Sequence, residues 1–184
     1  MFRQKIIPLL VCALMFVFTG CASDDIADRA IKENIDDLYL VIMGEDIAES
    51  IEIDNLTVSV NVFDQVYTSR KHKLIVVTDS YAQNITSEQV SNLKNFITKD
   101  NYWALYYCND TSKVNSFAHN FGKAISSTEQ SYLMGYKLVY NKTQSALQGI
   151  PSYSTSNSFS IKELNNMIKQ TYRDMIENRY EDLA

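Results

Sequence analysis

Residues 85–108 have the sequence ITSEQVSNLKNFITKDNYWALYYC, and this stretch decides the fold. Thr86 and Gln89 stand at the spacing of a capping box, in which each side chain binds the other residue's backbone N–H at the start of a helix. Apolar residues then recur along one face of that helix, at Val90, Leu93, Phe96 and Ile97. Residues 102–108 are apolar at both alternating sets of positions, which predicts a strand buried at the centre of a sheet.

Two further strands are predicted upstream of this helix. Residues 56–63 alternate between apolar and polar, as in a half-buried strand. The apolar set is Leu56, Val58, Val60 and Val62. Residues 74–78 form a short buried strand, and the basic cluster between the two, residues 70–73, is expected to be a solvated turn that includes His72. The two strands could then form a hairpin.

Two stretches nearer the amino terminus have a less specific pattern. Residues 24–37 predict a polar amphipathic helix, with a partly flexible tether as the alternative. Its expected apolar stripe consists of Ile26, Ala30, Ile31 and Ile35. Residues 38–43, LYLVIM, are continuously apolar, so they either extend that helix or form a buried strand, and periodicity leaves both open.

Downstream of residue 108 the pattern predicts a helix over 112–124, a strand over 132–140 and a polar loop over 149–158. A second capping box, Ser160 with Glu163, predicts the start of the last helix. The expected buried stripe of this helix is Ile161, Leu164, Ile168, Tyr172 and Met175. Helices that alternate with strands predict one α/β or α+β sandwich domain, with a mixed sheet covered by helices.

The first 20 residues have the three parts of an export signal. A basic start with Arg3 and Lys5 is followed by an apolar run over residues 6–18, which is too short to span a bilayer but suits a signal peptide. The signal ends at Phe18-Thr19-Gly20-Cys21. These four residues resemble the lipobox of bacterial lipoproteins, although Phe18 and Thr19 depart from the commonest residues of that motif.

The resemblance implies that diacylglycerol is attached to the Cys21 sulfur and that the chain is cut before this residue. Two or three acyl chains anchor a protein stably, whereas one does not. We therefore expect residues 1–20 to be a signal peptide, 21–37 a lipidated tether or helix, and 38–184 the globular domain. The chain would be held in the cell envelope outside the cytoplasm. In lipoproteins of enteric-type bacteria Asp directly after the cysteine favours the inner membrane, so the resemblance, with Ala22 at this position, implies the outer membrane in a Gram-negative envelope. In any other envelope it implies the outer face of the cell membrane.

Composition argues against several classes of function. Residues 1–20 hold two of the 17 basic residues and none of the 22 acidic ones, so the rest of the chain has a net charge of −7 and is poorly suited to bind nucleic acid. The glycines after the leader are too far apart for a phosphate-binding loop. With two histidines and no paired cysteines, neither a zinc site nor any cofactor is predicted.

Cys108, His119 and Asp110 are the candidates for covalent chemistry. Cys108 would lie at the end of a central strand, where α/β folds place functional groups, and His119 on the next helix could activate the thiol. The alternative is that Cys108 is a buried apolar residue, which is the commoner use of a free cysteine. Asp79 after a strand and Tyr153 in the predicted loop are candidate binding residues, and the 12 tyrosines allow a carbohydrate or peptide surface.

These observations favour a non-enzymatic envelope lipoprotein whose domain binds another envelope protein. The alternatives are an envelope hydrolase or thiol enzyme that uses Cys108 and His119, and a lipoprotein that binds a solute or glycan. A thiol enzyme requires a reactive Cys108. A solute-binding protein requires an open pocket lined by aromatic side chains.

Overall fold

A computed structural model of the chain describes residues 22–108, 110–125, 132–154 and 160–179. The signal peptide and Cys21 lie outside these residues, so their assignment stays a prediction. No helix in the described part of the chain is both long and apolar enough to cross a membrane.

A six-stranded mixed sheet forms the centre of the described structure. Its strands are β1 (Leu38–Met43), β2 (Thr57–Val60), β3 (His72–Val77), β4 (Tyr102–Tyr107), β5 (Tyr132–Asn141) and β6 (Ala146–Ser154). The strands lie in the order β2-β1-β3-β4-β5-β6. The first four are parallel, and β5 and β6 are antiparallel additions.

Five α-helices of the described residues cover the two faces of this sheet. They are α1 (Ala22–Glu33), α2 (Asp79–Gln83), α3 (Ser87–Lys99), α4 (Thr111–Asn120) and α5 (Ile161–Ile176). Helices α2, α3 and α4 pack on one face, and α1 and α5 on the other. The predicted class, an α/β or α+β sandwich with a mixed sheet covered by helices, is confirmed.

The apolar stretch 38–43 is strand β1, which settles the alternative that the sequence left open. Tyr39 and Val41 face helices α2 to α4, whereas Leu38, Leu40 and Ile42 face α1 and α5. A parallel strand with helices on both sides needs apolar residues at every position, because neither set of side chains reaches water. The continuous apolar run is therefore the expected signature of this strand.

The possible hairpin of residues 56–63 with 74–78 is wrong, because β1 lies between β2 and β3 and is parallel to both. The expected solvated turn is also wrong in part, since His72 and Lys73 are buried as the first residues of β3. Strand β2 ends at Val60, where Asn61 adopts a positive φ of 55°. Val62, expected in the core, is consequently exposed.

The polar loop predicted over 149–158 is wrong over its first part, because β6 extends to Ser154 and pairs with β5. Residues 155–158 of that prediction lie outside the described residues. Gly149 lies within this strand, opposite Leu138 of β5. A Cβ at this position would lie 1.7 Å from the Tyr136 hydroxyl oxygen, so only glycine leaves room for the tyrosine on β5.

Helix α1 is packed against the body of the domain. Ala27 and Ile31 are buried, and Asp28 pairs with Lys169 of α5 at 2.9 Å. The predicted stripe was correct for Ile31 and wrong for Ile26, which is exposed. The buried stripe is therefore rotated toward Ala27, on the side of α1 that contacts α5.

Both predicted helix starts are found. Thr86 and Gln89 form the complete reciprocal capping box at the start of α3. The Ser160 hydroxyl accepts a hydrogen bond from the Glu163 backbone N–H at 3.1 Å at the start of α5. Ile161, expected in the buried stripe of α5, is exposed, whereas the rest of the predicted stripe is buried.

Candidate functional site

The parallel strands β1, β3 and β4 end at the same side of the sheet, which we call the carboxyl edge. Gly44, Thr78 with Asp79, and Cys108 follow the three strands there. Ligands of open α/β sheets bind outside this edge. The carboxyl edge is therefore where a ligand site of this fold is expected.

Asp79 is the centre of a hydrogen-bond network at the carboxyl edge. Its Oδ1 accepts a hydrogen bond from the Tyr106 hydroxyl at 2.7 Å and lies 3.8 Å from the Cys108 Sγ. Its Oδ2 accepts hydrogen bonds from Gln83 Nε2 at 2.5 Å and from Lys113 Nζ at 2.7 Å. Both carboxylate oxygens are thus occupied by side chains of α2, β4 and α4.

The network fixes the charge of its members. Partial burial by itself would raise the pKa of the Asp79 carboxyl, but the hydrogen bonds from Lys113, Tyr106 and Gln83 outweigh it and hold this pKa below its ordinary value. The bond to Asp79 raises the pKa of Lys113. Burial, followed by the hydrogen bonds with Cys108 and Asp79, raises the pKa of Tyr106 far above its ordinary range. At neutral pH the cluster is a carboxylate, an ammonium and a neutral phenol.

Cys108 is 4% exposed and its thiol points at the Asp79 carboxylate as a hydrogen-bond donor. The Cys108 thiol must keep its proton to donate this hydrogen bond, whereas a nucleophilic cysteine must be deprotonated to the thiolate. The Asp110 carboxylate accepts hydrogen bonds from the backbone N–H groups of Ser112 and Lys113, so it caps α4.

His119 lies exposed in the last turn of α4, while Cys108 precedes the first turn. The nine residues from Asp110 to His119 span about 13 Å of helix. The structure therefore brings Cys108 to Asp79 and not to His119. No triad of Cys108, His119 and Asp110 is assembled in this arrangement.

The backbone polar groups that follow β1 are hydrogen-bonded by side chains of Asn61 and Thr78. Asn61 Oδ1 accepts a hydrogen bond from the Gly44 N–H at 2.6 Å, and Asn61 Nδ2 donates to the Gly44 carbonyl at 2.9 Å. The Thr78 hydroxyl donates to the Met43 carbonyl and accepts from the Glu45 N–H. Among the described residues, no group of three or more His, Cys, Asp and Glu side chains could hold a metal ion.

An apolar hollow of about 230 Å³ opens between α3 and the segment after Asn61, on the sheet face that α2 also covers, and we call it the edge hollow. It is lined by Met43, Phe63, Tyr81, Gln89, Asn92, Leu93 and Phe96. The rings of Phe63 and Phe96 stack with centroids 3.9 Å apart. Val62 and Val66, within three residues of Phe63, are 61% and 73% exposed.

Sequence reasoning missed the edge hollow because it extended β2 to residue 63 and so placed Val62 in the core. The signal that could have corrected this is Asn61, since asparagine tolerates a positive φ and often ends a strand. The segment after Asn61 runs back across the face of the sheet to the start of β3 and includes a 3-10 turn over Gln65–Tyr67, where Tyr67 packs against Tyr39 near the start of β1.

The other predicted binding residues do not join this site. Tyr153 is exposed near the end of β6 and borders a separate cleft against α5 that includes Glu163 and Met167. Among the tyrosines whose side chains the structure describes, six are buried and therefore do not line an open pocket: Tyr39, Tyr102, Tyr106, Tyr107, Tyr136 and Tyr172. No protein-family model matches this chain, and neither a curated protein nor a solved structure matches it.

Proposed function

We propose that this chain is a bacterial envelope lipoprotein, anchored through lipid on Cys21, whose α/β domain binds another envelope protein without catalysing a reaction. The anchor is supported by the basic start, the short apolar run and the sequence Phe18-Thr19-Gly20-Cys21. This proposal places the domain outside the cytoplasm, where such a domain can meet membrane proteins and secreted ligands.

The edge hollow is the observation that carries the binding role. An apolar hollow flanked by two exposed valines leaves apolar surface in water, and such patches mark surfaces that bind another protein. The floor is rigid, because Phe63 and Phe96 both pack edge-on against Tyr102 at centroid distances of 5.7 Å. A rigid apolar hollow fits one projecting apolar side chain of a partner.

The Asp79 network supports binding over catalysis. A carboxylate that acts as a general base needs a free oxygen within hydrogen-bond reach of the substrate. Both oxygens of Asp79 already accept hydrogen bonds from Tyr106, Gln83 and Lys113. The network instead holds α2 and α4 together at the carboxyl edge.

The binding role is tested by crosslinking the protein to its neighbours in intact cells and identifying the products. The double variant Val62→Asp/Val66→Asp changes only exposed side chains and should fold normally, but it should lose the crosslinked partner. Ile161→Asp is the matched control, because it makes the same change at an exposed isoleucine of α5, on the other face of the sheet. A crosslinked product that survives the double variant and is lost with Ile161→Asp would contradict the proposed surface.

A further inference from the structure

We propose that the carboxyl edge of the sheet faces the bilayer at close range, with Ile26 at the lipid surface. The proposal rests on the lipidation of Cys21 and goes beyond it, because an anchor alone does not set the orientation or height of a domain. It makes the lipid bilayer itself one of the surfaces that this domain contacts.

The length of chain between Cys21 and the packed part of the domain limits how far the domain can lie from the bilayer. Among the side chains that the structure describes, which begin at Asp25, Ala27 is the first that is buried, six residues after Cys21. Six residues span at most about 20 Å when fully extended. Residues 22–27 are helical, and in that conformation the same stretch spans only about 9 Å. The domain has no room for a long flexible tether after the lipid.

Packing fixes the direction of α1. Its carboxyl end leads through Ile35–Asp37 into the start of β1, so it lies at the edge opposite the carboxyl edge. Its first half lies along α5, where Asp28 pairs with Lys169 and borders a cleft that reaches Lys162.

The start of α5 lies at the carboxyl edge, because the Ser160 carbonyl accepts a hydrogen bond from the hydroxyl of Tyr107, the last residue of β4. Helix α1 therefore runs alongside α5, and its amino end points toward the carboxyl edge. A lipid on Cys21 would therefore hold this end of the molecule at the membrane.

Ile26 provides a second, independent observation at the same end. It is 58% exposed, although Ala27 and Ile31 beside it are buried. Ile26 is on the outer side of the first two turns of α1, about 6 Å along the helix from Ala22. It can bury its side chain at the lipid interface, where apolar groups of surface helices insert.

The test uses the full lipidated protein in vesicles of phosphatidylethanolamine and phosphatidylglycerol. Ile26→Cys and, separately, Thr143→Cys are labelled with the fluorophore NBD. Thr143 is exposed in the β5–β6 turn at the opposite edge of the sheet. Native Cys108 is buried and Cys21 carries the lipid, so each variant has one accessible thiol. Quenching by doxyl-labelled lipid is then measured.

The proposal predicts loss of most of the fluorescence at position 26 and little loss at position 143. A Gly-Ser linker of about 20 residues inserted after Ala22 has a root-mean-square length of about 25 Å and should abolish the quenching at position 26 while the protein still floats with the vesicles. Equal quenching at both positions, or none at either, in protein that floats with vesicles would overturn the orientation and leave the anchor intact. Protein that does not float with vesicles would overturn both.

Discussion

Lys137 on β5 and Asp174 on α5 form an ion pair with Nζ and Oδ2 2.7 Å apart, and their side chains are only 8% and 2% exposed. Asp174 Oδ1 accepts a further hydrogen bond from Gln170 Nε2 at 2.9 Å. The pair joins the antiparallel part of the sheet to the helix that covers it. Removing one member would leave the other charge buried, and that costs more than the pair itself contributes.

We therefore predict that Asp174→Asn lowers the free energy of unfolding by about 3 kcal/mol or more. The measurement is urea unfolding, in which the midpoint should fall while the slope stays unchanged. Arg29→Ala is the control. It removes an ion pair between Arg29 and Glu33 that is exposed on both sides, and it should cost less than about 0.5 kcal/mol. Equal losses of unfolding free energy in the two variants would contradict the prediction that breaking a buried ion pair costs more than breaking an exposed one.

Loss of the hydroxyl should lower the free energy of unfolding at one buried tyrosine, Tyr106, and raise it at another, Tyr172. Tyr106→Phe removes the 2.7 Å bond to Asp79, and hydrogen bonds to charged groups contribute about 1.5 kcal/mol or more. The Tyr172 hydroxyl is buried with no hydrogen-bond partner among the described residues. Tyr172→Phe should therefore raise the free energy of unfolding, by about 1 kcal/mol, because it removes an unsatisfied buried polar group. Thermal unfolding of both variants decides this, and a loss of stability in Tyr172→Phe would refute it.

The stability contributed by Asp79 should depend on pH. Its pKa in the folded protein lies below the ordinary value of 3.8, so its contribution is complete above that value and is lost as the pH falls through the folded-state pKa. The difference in unfolding free energy between the wild type and Asp79→Asn should be constant at neutral pH and shrink below about pH 4.

Asp110→Asn is the matched control for this pH series. Asparagine caps a helix as well as aspartate does, so the control variant should keep the stability of the wild type at neutral pH. Urea unfolding measured at a series of pH values gives both curves. A difference for Asp79→Asn that grows as the pH falls would contradict the direction of the pKa shift.

Cys108 should be chemically inert in the folded protein. Its thiol is buried and held against the Asp79 carboxylate, whereas reactive cysteines are partly exposed in electropositive surroundings. Iodoacetamide should label Cys108 only after unfolding in urea, as detected by mass spectrometry of the peptide. Rapid labelling in native buffer would revive the thiol-enzyme hypothesis, and His119→Ala would then show whether the histidine contributes.

The parts of the fold that the sequence predicted are those specified by local patterns. The capping box at Thr86 and the continuous apolar runs identify α3 and β4, because the residues that specify these elements are neighbours in the chain. Strand pairing depends on residues far apart. Nothing in residues 56–63 shows that β1 lies between β2 and β3, and the neighbouring strands therefore looked like a hairpin.

The same limit applies to the candidate site. Asp79 was singled out as a residue after a strand, but its contact with Lys113 joins positions 34 apart in the chain. Lys137 was missed because a lysine in a strand is ordinarily exposed, and its partner Asp174 is on a helix 37 residues away. Such pairs become visible only when the topology brings β4, β5 and the helices together.

The most direct test of the whole account is the fate of the protein when Cys21 is replaced by serine. Cells that express the wild type, Cys21→Ser or the leader control Cys12→Ser are labelled with radioactive palmitate and then fractionated. The wild type and Cys12→Ser should be processed, labelled and found with membranes, whereas Cys21→Ser should be unlabelled and keep its leader. Normal processing and membrane sedimentation of Cys21→Ser would contradict the lipid anchor, and with it the proposed membrane-facing orientation.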